Sequence, residues 1–155
     1  MGSDRATVMD RAAIEALIPH REPFLFVDRV VDMSADAITT EWDVPADLFA
    51  FRGHYPRRPL LPGVLTCEFA FQSAAILLVS SSAIARAPEA VPALTKIEDA
   101  RFKRAVLPGE TLRAAVEVVE RLGPACFMKA TITCGGASVL KVRFTVALVD
   151  ALAGA

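Results

Sequence analysis

A long apolar segment, residues 60–79, constrains the fold most, because it carries one acidic residue, Glu68, near its middle. Its length suits a membrane-spanning helix. Glu68, Gln72 and the early pair Pro62-Gly63 instead favour a buried helix in a soluble protein. Proline is tolerated in the first helical turn, where its missing N–H costs nothing. We therefore predict a helix that begins at Pro62 and continues to about residue 85.

The remaining sequence predicts one short helix and several strands. Asp10 can cap a helix that ends at Pro19, and residues 24–32 and 37–44 predict a hairpin. After the long helix, glycine- and proline-containing turns separate four predicted strands with two hairpins among them: residues 94–103, 111–121, 125–134 and 139–149. This order indicates an α+β protein in which an antiparallel sheet packs on one dominant helix.

Composition sets broad limits on function. The 155 residues fit a single domain, residues 1–155, and the 54% hydrophobic content exceeds what one core needs, so we expect an oligomer. A formal net charge of -1 gives no general reason to expect a nucleic-acid partner. The three cysteines form no CxxC pair, and the first residues lack the apolar core of a signal peptide. We expect a cytoplasmic protein without a membrane segment.

Glu68 and His54 are the strongest candidates for chemistry. Burial raises the pKa of a carboxyl group toward values useful to a general acid. His54, one of only two histidines, lies in the motif Gly53-His54-Tyr55-Pro56 and could supply the complementary base. Two structural alternatives remain open. His54 could serve merely to fix its loop, and Glu68 could serve merely as a hydrogen-bond partner of Gln72, one helical turn later.

The start of the long helix supplies a third component. The N–H groups beside Pro62-Gly63 are free of helical partners, and with the helix dipole they can stabilise negative charge on a thioester oxygen. A base, an acid and an oxyanion site are the requirements for eliminating water from a 3-hydroxyacyl thioester. The sequence therefore indicates this reaction.

Other candidates are weaker. His20, between Pro19 and Arg21, is expected to fix the connector, and Cys67 is expected to be a small core residue. No cluster of cysteines and histidines predicts a metal site, and neither glycine-rich nucleotide-binding motif occurs.

Several motifs in register resemble the (3R)-hydroxyacyl-[acyl-carrier-protein] dehydratases of the FabZ type. They are residues 18–29 (IPHREPFLFVDR), 53–56 (GHYP), 59–65 (PLLPGVL), Glu68 with Gln72, and 100–109 (ARFKRAVLPG). The resemblance extends from about residue 11 to residue 149. The related FabA-type dehydratase-isomerases carry aspartate at the position of Glu68, so isomerisation is not expected.

The resemblance implies a hot-dog fold, in which a curved antiparallel sheet wraps around the long helix and two subunits form shared active sites. It assigns His54 as the base at C2, Glu68 of the other subunit as the acid at the C3 hydroxyl, and the Gly63 N–H as the thioester ligand. The acyl chain arrives on a phosphopantetheine arm, so neither metal nor cofactor is expected. The implied acyl tunnel involves Tyr55, Pro62, Val64, Phe69, Phe71 and Gln72.

Two departures from the family pattern bear on the substrate. Arg57 and Arg58 follow the GHYP motif where the family has glycine and histidine, and Phe69 and Phe71 replace small residues beside Glu68. The phenylalanines would either reshape the tunnel or repack the core, and a polyketide or polyene substrate is an alternative to an ordinary fatty acid. An acidic carrier protein would dock on five cations: Arg57, Arg58, Arg101, Lys103 and Arg104.

Two other functions remain open. A hot-dog thioesterase could use Glu68 to activate water against the same carbonyl. Alternatively, the chain could be a non-catalytic partner in a heteromeric dehydratase. Its assembly could be a homodimer, a trimer of dimers, or a heterodimer with a paralogue.

Overall fold

A computed structural model of the protein describes residues 7–81 and 90–150. Six antiparallel strands form one sheet in the order β1-β2-β4-β5-β6-β3. The strands are β1 (Arg29–Met33), β2 (Ala37–Asp43), β3 (Ala90–Phe102), β4 (Thr111–Leu122), β5 (Ala125–Cys134) and β6 (Ala137–Asp150). The helices are α1 (Arg11–Leu17), α2 (Gly63–Ser80) and a short 3-10 helix, Phe49–Arg52.

The core lies between α2 and one face of the sheet. Alternate residues of β2 point to this face, so Ile38, Thr40 and Trp42 are buried while their neighbours are not. The Trp42 ring packs 4.9 Å from that of Phe26 and 5.8 Å from that of Phe69 in α2. This arrangement confirms the predicted α+β architecture.

Helix α2 is apolar on most of its circumference because the curved sheet surrounds it. It is long and apolar enough to span a membrane, but most of its residues are buried within the protein, as in a core helix. A buried polar contact fixes its rotation: the Ser73 Oγ lies 2.7 Å from the Thr40 Oγ1 of β2. The Ser73 hydroxyl also lies 2.8 Å from the carbonyl oxygen of Phe69, so both hydroxyl groups are satisfied without water.

The predicted secondary structure agrees with the observed elements except at their ends. Helix α2 begins at Gly63, with Pro62 as its N-cap residue, and ends at Ser80. The prediction that the helix continues to about residue 85 was therefore too long, since Ser81 is already extended. The predicted break after it lies outside the described residues. Strand β3 begins at Ala90, four residues before the predicted start, and it pairs with β6. Strands β4, β5 and β6 form the two predicted hairpins.

The predicted first strand, residues 24–32, was wrong over its first half, since β1 starts only at Arg29. The preceding segment is extended and apolar, like a strand, but a helix side chain satisfies its backbone. Gln72 accepts a hydrogen bond from the Phe26 N–H at 2.8 Å and donates one to the Phe24 carbonyl at 3.0 Å. The segment therefore lies against α2 instead of entering the sheet.

The two edges of the sheet differ. The β1 edge is covered, because Val8 and Met9 hydrogen-bond to the backbone of Val30. At the other edge, β3 is 13 residues long and none of its residues is buried. Four large apolar side chains of β3 are exposed: Val91, Leu94, Ile97 and Phe102. A long edge strand with exposed apolar side chains is a site for pairing with another chain.

We predict that Phe69→Ala will lower the free energy of unfolding by about 3–5 kcal/mol, because it removes a fully buried ring and leaves a cavity. Val119→Ala, at an exposed position of β4, should change it by no more than about 0.5 kcal/mol. Urea unfolding followed by tryptophan fluorescence measures both. Equal losses would contradict the placement of Phe69 in the core.

Candidate active site

His54 is held by its loop in a defined tautomer. Its backbone N–H donates to the Ala50 carbonyl at 2.9 Å, at the end of the 3-10 helix. Its ring Nδ1 lies 2.9 Å from the carbonyl oxygen of Leu60. A carbonyl oxygen can only accept, so Nδ1 must carry the proton and Nε2 is left as the basic nitrogen. The geometry therefore suits a general base.

Tyr55 maintains a tight turn beside this base. Its φ of 54° is in the left-handed region, which a residue with a Cβ rarely adopts. The Tyr55 carbonyl accepts a hydrogen bond from the Arg58 N–H at 2.8 Å, which closes the turn. The tyrosine ring packs edge-on against the His54 ring, with 4.8 Å between their centroids. Backbone strain of this kind is often found at functional sites.

The start of α2 borders a separate cleft of about 390 Å³ that includes Gly63, Thr66 and Phe102. The Leu65 N–H donates to the Pro62 carbonyl at 2.9 Å. The Gly63 N–H precedes this hydrogen bond at the start of α2. A Cβ at position 63 would lie 2.8 Å from the Phe102 ring, so only glycine fits without movement of that ring. Glycine at this position therefore lets the Phe102 ring pack against the start of α2, and Gly63 itself lies on the wall of the cleft.

Glu68 is half-buried in a narrow cleft of about 130 Å³. Burial raises the pKa of its carboxyl group above the ordinary value, although a hydrogen bond from Gln72 and the nearby His20 oppose this shift. The Gln72 Nε2 donates to the Glu68 Oε1 at 3.1 Å. The His20 Nε2 lies 3.8 Å from the same oxygen. A carboxyl group in this environment is suited to act as an acid.

Gln72 is fully buried and connects this acid to the segment that precedes β1. Its oxygen accepts from the Phe26 N–H, while its nitrogen donates to both the Phe24 carbonyl and Glu68. The pairing between Glu68 and Gln72 considered from the sequence is therefore present, but Gln72 also has a structural role.

The predicted tunnel residues occupy different environments. Phe71 lines the Glu68 cleft, and its ring packs 4.9 Å from that of Phe144. Phe69 has no exposed surface and belongs to the core. Val64 is 73% exposed in the single chain. Tyr55 and Leu107 both line a largely apolar cleft of about 730 Å³. Of the two phenylalanines, only Phe71 is placed to contact a ligand in the Glu68 cleft.

The five predicted docking cations also differ. Arg101 pairs with Asp99 at 2.7 Å, and Arg104 pairs with Glu110 at 2.6 Å. Within residues 7–81 and 90–150, no ion pair engages the three remaining cations, which are Arg57, Arg58 and Lys103.

Within one chain, His54 and Glu68 are not brought together. In the described part of the chain no hydrogen bond or ion pair joins them, and the Glu68 cleft has His20, not His54, on its wall. Sequence reasoning assigned His20 only to fixing the connector, although it lies within the first family-like motif. Cys67 is buried, and burial raises the pKa of its thiol, as expected for a small core residue.

Comparisons with known proteins give the family. A family model for a FabA-like domain matches residues 18–143. A 3-hydroxyacyl-[acyl-carrier-protein] dehydratase FabZ of Anaeromyxobacter sp. (strain Fw109-5) is 38% identical, covering 97% of this chain and 98% of the relative. The FabZ of Solibacter usitatus (strain Ellin6076) is 36% identical, with 92% and 87% covered.

Solved structures with the same fold are more distant in sequence. A chain of the dehydratase heterocomplex ApeI:P from Xenorhabdus doucetiae superposes with a TM-score of 0.73 at 16% identity, covering 89% of this chain and 91% of that one. A hypothetical thioesterase from Streptococcus pneumoniae TIGR4, solved with coenzyme A, gives 0.61 at 16% identity, with 78% and 84% covered. These likenesses support the hot-dog fold. The family model and the two FabZ relatives establish that the chain belongs to the FabA-like domain family.

Proposed function

We propose that this protein dehydrates (3R)-3-hydroxyacyl chains on an acyl carrier protein to trans-2-enoyl chains, in fatty-acid or polyketide and polyene synthesis. The observation that carries this proposal is the 38% identity to a FabZ dehydratase over almost the whole of both chains. The chain, residues 1–155, would act as one cytoplasmic domain without a resident metal or cofactor.

The base in this proposal is His54. The Leu60 carbonyl holds the proton on Nδ1, so Nε2 can remove a proton from C2 of the acyl chain. Negative charge then develops on the thioester oxygen, which would accept a hydrogen bond from the Gly63 N–H at the start of α2. The position of Gly63 on the wall of the cleft of about 390 Å³ at the start of α2 supports this role.

The acid is Glu68. Its protonated carboxyl gives a proton to the C3 hydroxyl as the C3–O bond breaks, and that oxygen leaves as water. The raised pKa of Glu68 favours the protonated form that this step needs. Transfer of a proton from the imidazolium of His54 back to Glu68 restores both groups, so the net products are the enoyl chain and one water.

A dimer would complete this site. His54 and Glu68 are not in contact within one chain, whereas β3 offers an exposed apolar edge next to the Glu68 cleft, since Leu94 lines that cleft. We propose that β3 edges of two copies pair, so that His54 of one copy meets Glu68 of the other. A homodimer is the simplest such assembly, and a trimer of dimers or a pairing with a paralogue uses the same edge.

The carrier protein and the acyl chain would use different surfaces. Arg57, Arg58 and Lys103 are the cations suited to an acidic carrier, because Arg101 and Arg104 are already paired with carboxylates. Phe71 would limit the space next to Glu68, because Phe144 holds its ring in place. We therefore expect selection among acyl chains by shape at the C3 end.

Mass spectrometry of a 3-hydroxyacyl-carrier-protein panel, containing short, long, saturated and polyunsaturated chains, tests the function. We expect the purified protein to remove the mass of one water from a subset of the panel. Release of free carrier thiol would support a thioesterase instead. Folded protein without either reaction, but active after addition of a paralogue, would support the non-catalytic partner.

We predict that His54→Ala and Glu68→Gln will each lower kcat/KM by at least about 100-fold while preserving the fold. An equal mixture of the two chains should recover about one quarter of wild-type activity, because half of the dimers are mixed and each mixed dimer holds one intact site. Two affinity tags report the mixed dimers. Mixed dimers without recovered activity would contradict a site shared between subunits.

We predict that Ile97→Lys will produce monomers with little activity, because it places a charge on the exposed apolar surface of the β3 edge. Val119→Lys is the matched control, because it places the same charge at an exposed apolar position of β4. This variant should remain dimeric. Light scattering after size-exclusion chromatography measures both masses. A dimeric Ile97→Lys variant with normal activity would place the interface elsewhere.

A further inference from the structure

One oxygen of Glu68 accepts a hydrogen bond from Gln72 and has the ring of His20 nearby. The Gln72 Nε2 lies 3.1 Å and the His20 Nε2 lies 3.8 Å from the Glu68 Oε1. Among the described residues, no hydrogen bond is made by the other carboxyl oxygen, Oε2. The two oxygens of this acid are therefore in different environments.

The backbone around His20 is fixed from both sides. The Arg21 guanidinium donates to the carbonyls of Ile18 and His20, at 2.8 and 2.7 Å, and to that of Glu15 at 2.8 Å. On the far side of the connector, the amide of Gln72 holds the backbone of residues 24–26. The backbone that carries His20 is thus held by contacts that do not involve Glu68.

The orientation of the His20 ring also indicates its tautomer. Among residues 7–81 and 90–150, its buried Nδ1 has no hydrogen-bond partner, while its Nε2 faces Glu68. A proton on Nδ1 would bury a donor with nothing to accept it, which is unfavourable. A proton on Nε2 instead points a donor at the Glu68 carboxyl and leaves Nδ1 as an acceptor.

We infer that His20 is a positioning residue, which together with Gln72 engages the Glu68 Oε1 so that the catalytic proton is carried on Oε2. This inference deepens the proposed function and depends on it for the role of the proton. When Glu68 gives up its proton, negative charge spreads to Oε1, and both donors then stabilise it. The contact is therefore stronger in the transition state than in the ground state, which raises kcat more than it affects KM.

The remaining walls of the cleft leave few alternatives to His20. They are apolar on each element, with Phe71 and Ala75 from α2, Pro92 and Leu94 from β3, and Val146 from β6. Within the described part of one chain, the titratable groups next to Glu68 are His20 and the adjacent thiol of Cys67, and in the proposed dimer His54 of the second copy would join them. Since His20 opposes the rise caused by burial, its removal should raise the pKa of Glu68 further.

Two matched variants test the inference through kinetics. His20→Phe keeps a ring without a donor, whereas His20→Gln keeps an N–H at a similar reach. We expect His20→Phe to lower kcat about tenfold with KM changed by less than about twofold, and His20→Gln to recover most of the loss. The alkaline limb of the pH profile should shift upward in His20→Phe, because a higher pKa keeps Glu68 protonated to higher pH. Thermal melting measures how far each variant is folded.

The Glu68→Gln background separates positioning from a structural effect. If His20 acts through Glu68, His20→Phe should have little further effect in that background. An equal tenfold loss there, or normal kcat and pH profile in His20→Phe alone, would overturn the inference.

A measurement without turnover separates this inference from the proposed function. Side-chain carboxyl carbons labelled with ¹³C report the titration of Glu68 by NMR, with Glu68→Gln giving the assignment. We expect a higher pKa in His20→Phe than in wild type, and a return toward wild type in His20→Gln. An unchanged titration would overturn the contact even if the enzyme is active. A shifted titration in a protein that dehydrates nothing would refute the proposed function alone and leave the contact standing.

Discussion

The side-chain amide of Gln72 is the interaction on which the rest of the structure depends. Its fully buried position makes each unsatisfied polar atom costly, and all of its hydrogen bonds go to the protein. Through them α2 holds residues 24–26 before β1 and also donates to Glu68. The core helix and the acid of the candidate site are therefore stabilised by the same amide, and neither can be changed independently.

Turn residues predicted the elements whose partners lie within the sheet. Glycine- and proline-containing turns separate the strands that follow α2, so the predicted bounds of β4, β5 and β6 lie close to the observed ones. The strand prediction failed for residues 24–26, an extended apolar segment whose Phe26 N–H and Phe24 carbonyl bond to the side chain of Gln72 instead of a strand. A pattern of apolar residues indicates burial, but it does not indicate which groups form hydrogen bonds with the backbone.

The sequence predicted only part of the candidate site. Glu68 stood out because a carboxyl group is expensive inside an apolar helix, and the structure supports this by its burial and raised pKa. The contact with His20 was not predicted, since it depends on how the connector folds over α2. The meeting of His54 with Glu68 is an expectation about two chains, which the spacing of residues within one chain does not express.

The contact between Phe102 and Gly63 links assembly to substrate binding. Phe102 ends β3, the strand proposed to pair with a second copy, and its ring fills the space that a Cβ at position 63 would occupy. A displacement of this strand would move the ring relative to the amide proposed to bind the thioester. Evolution of a new partner along this edge would therefore alter how firmly the carbonyl is held, so partner choice and catalytic efficiency in this chain would have to evolve together.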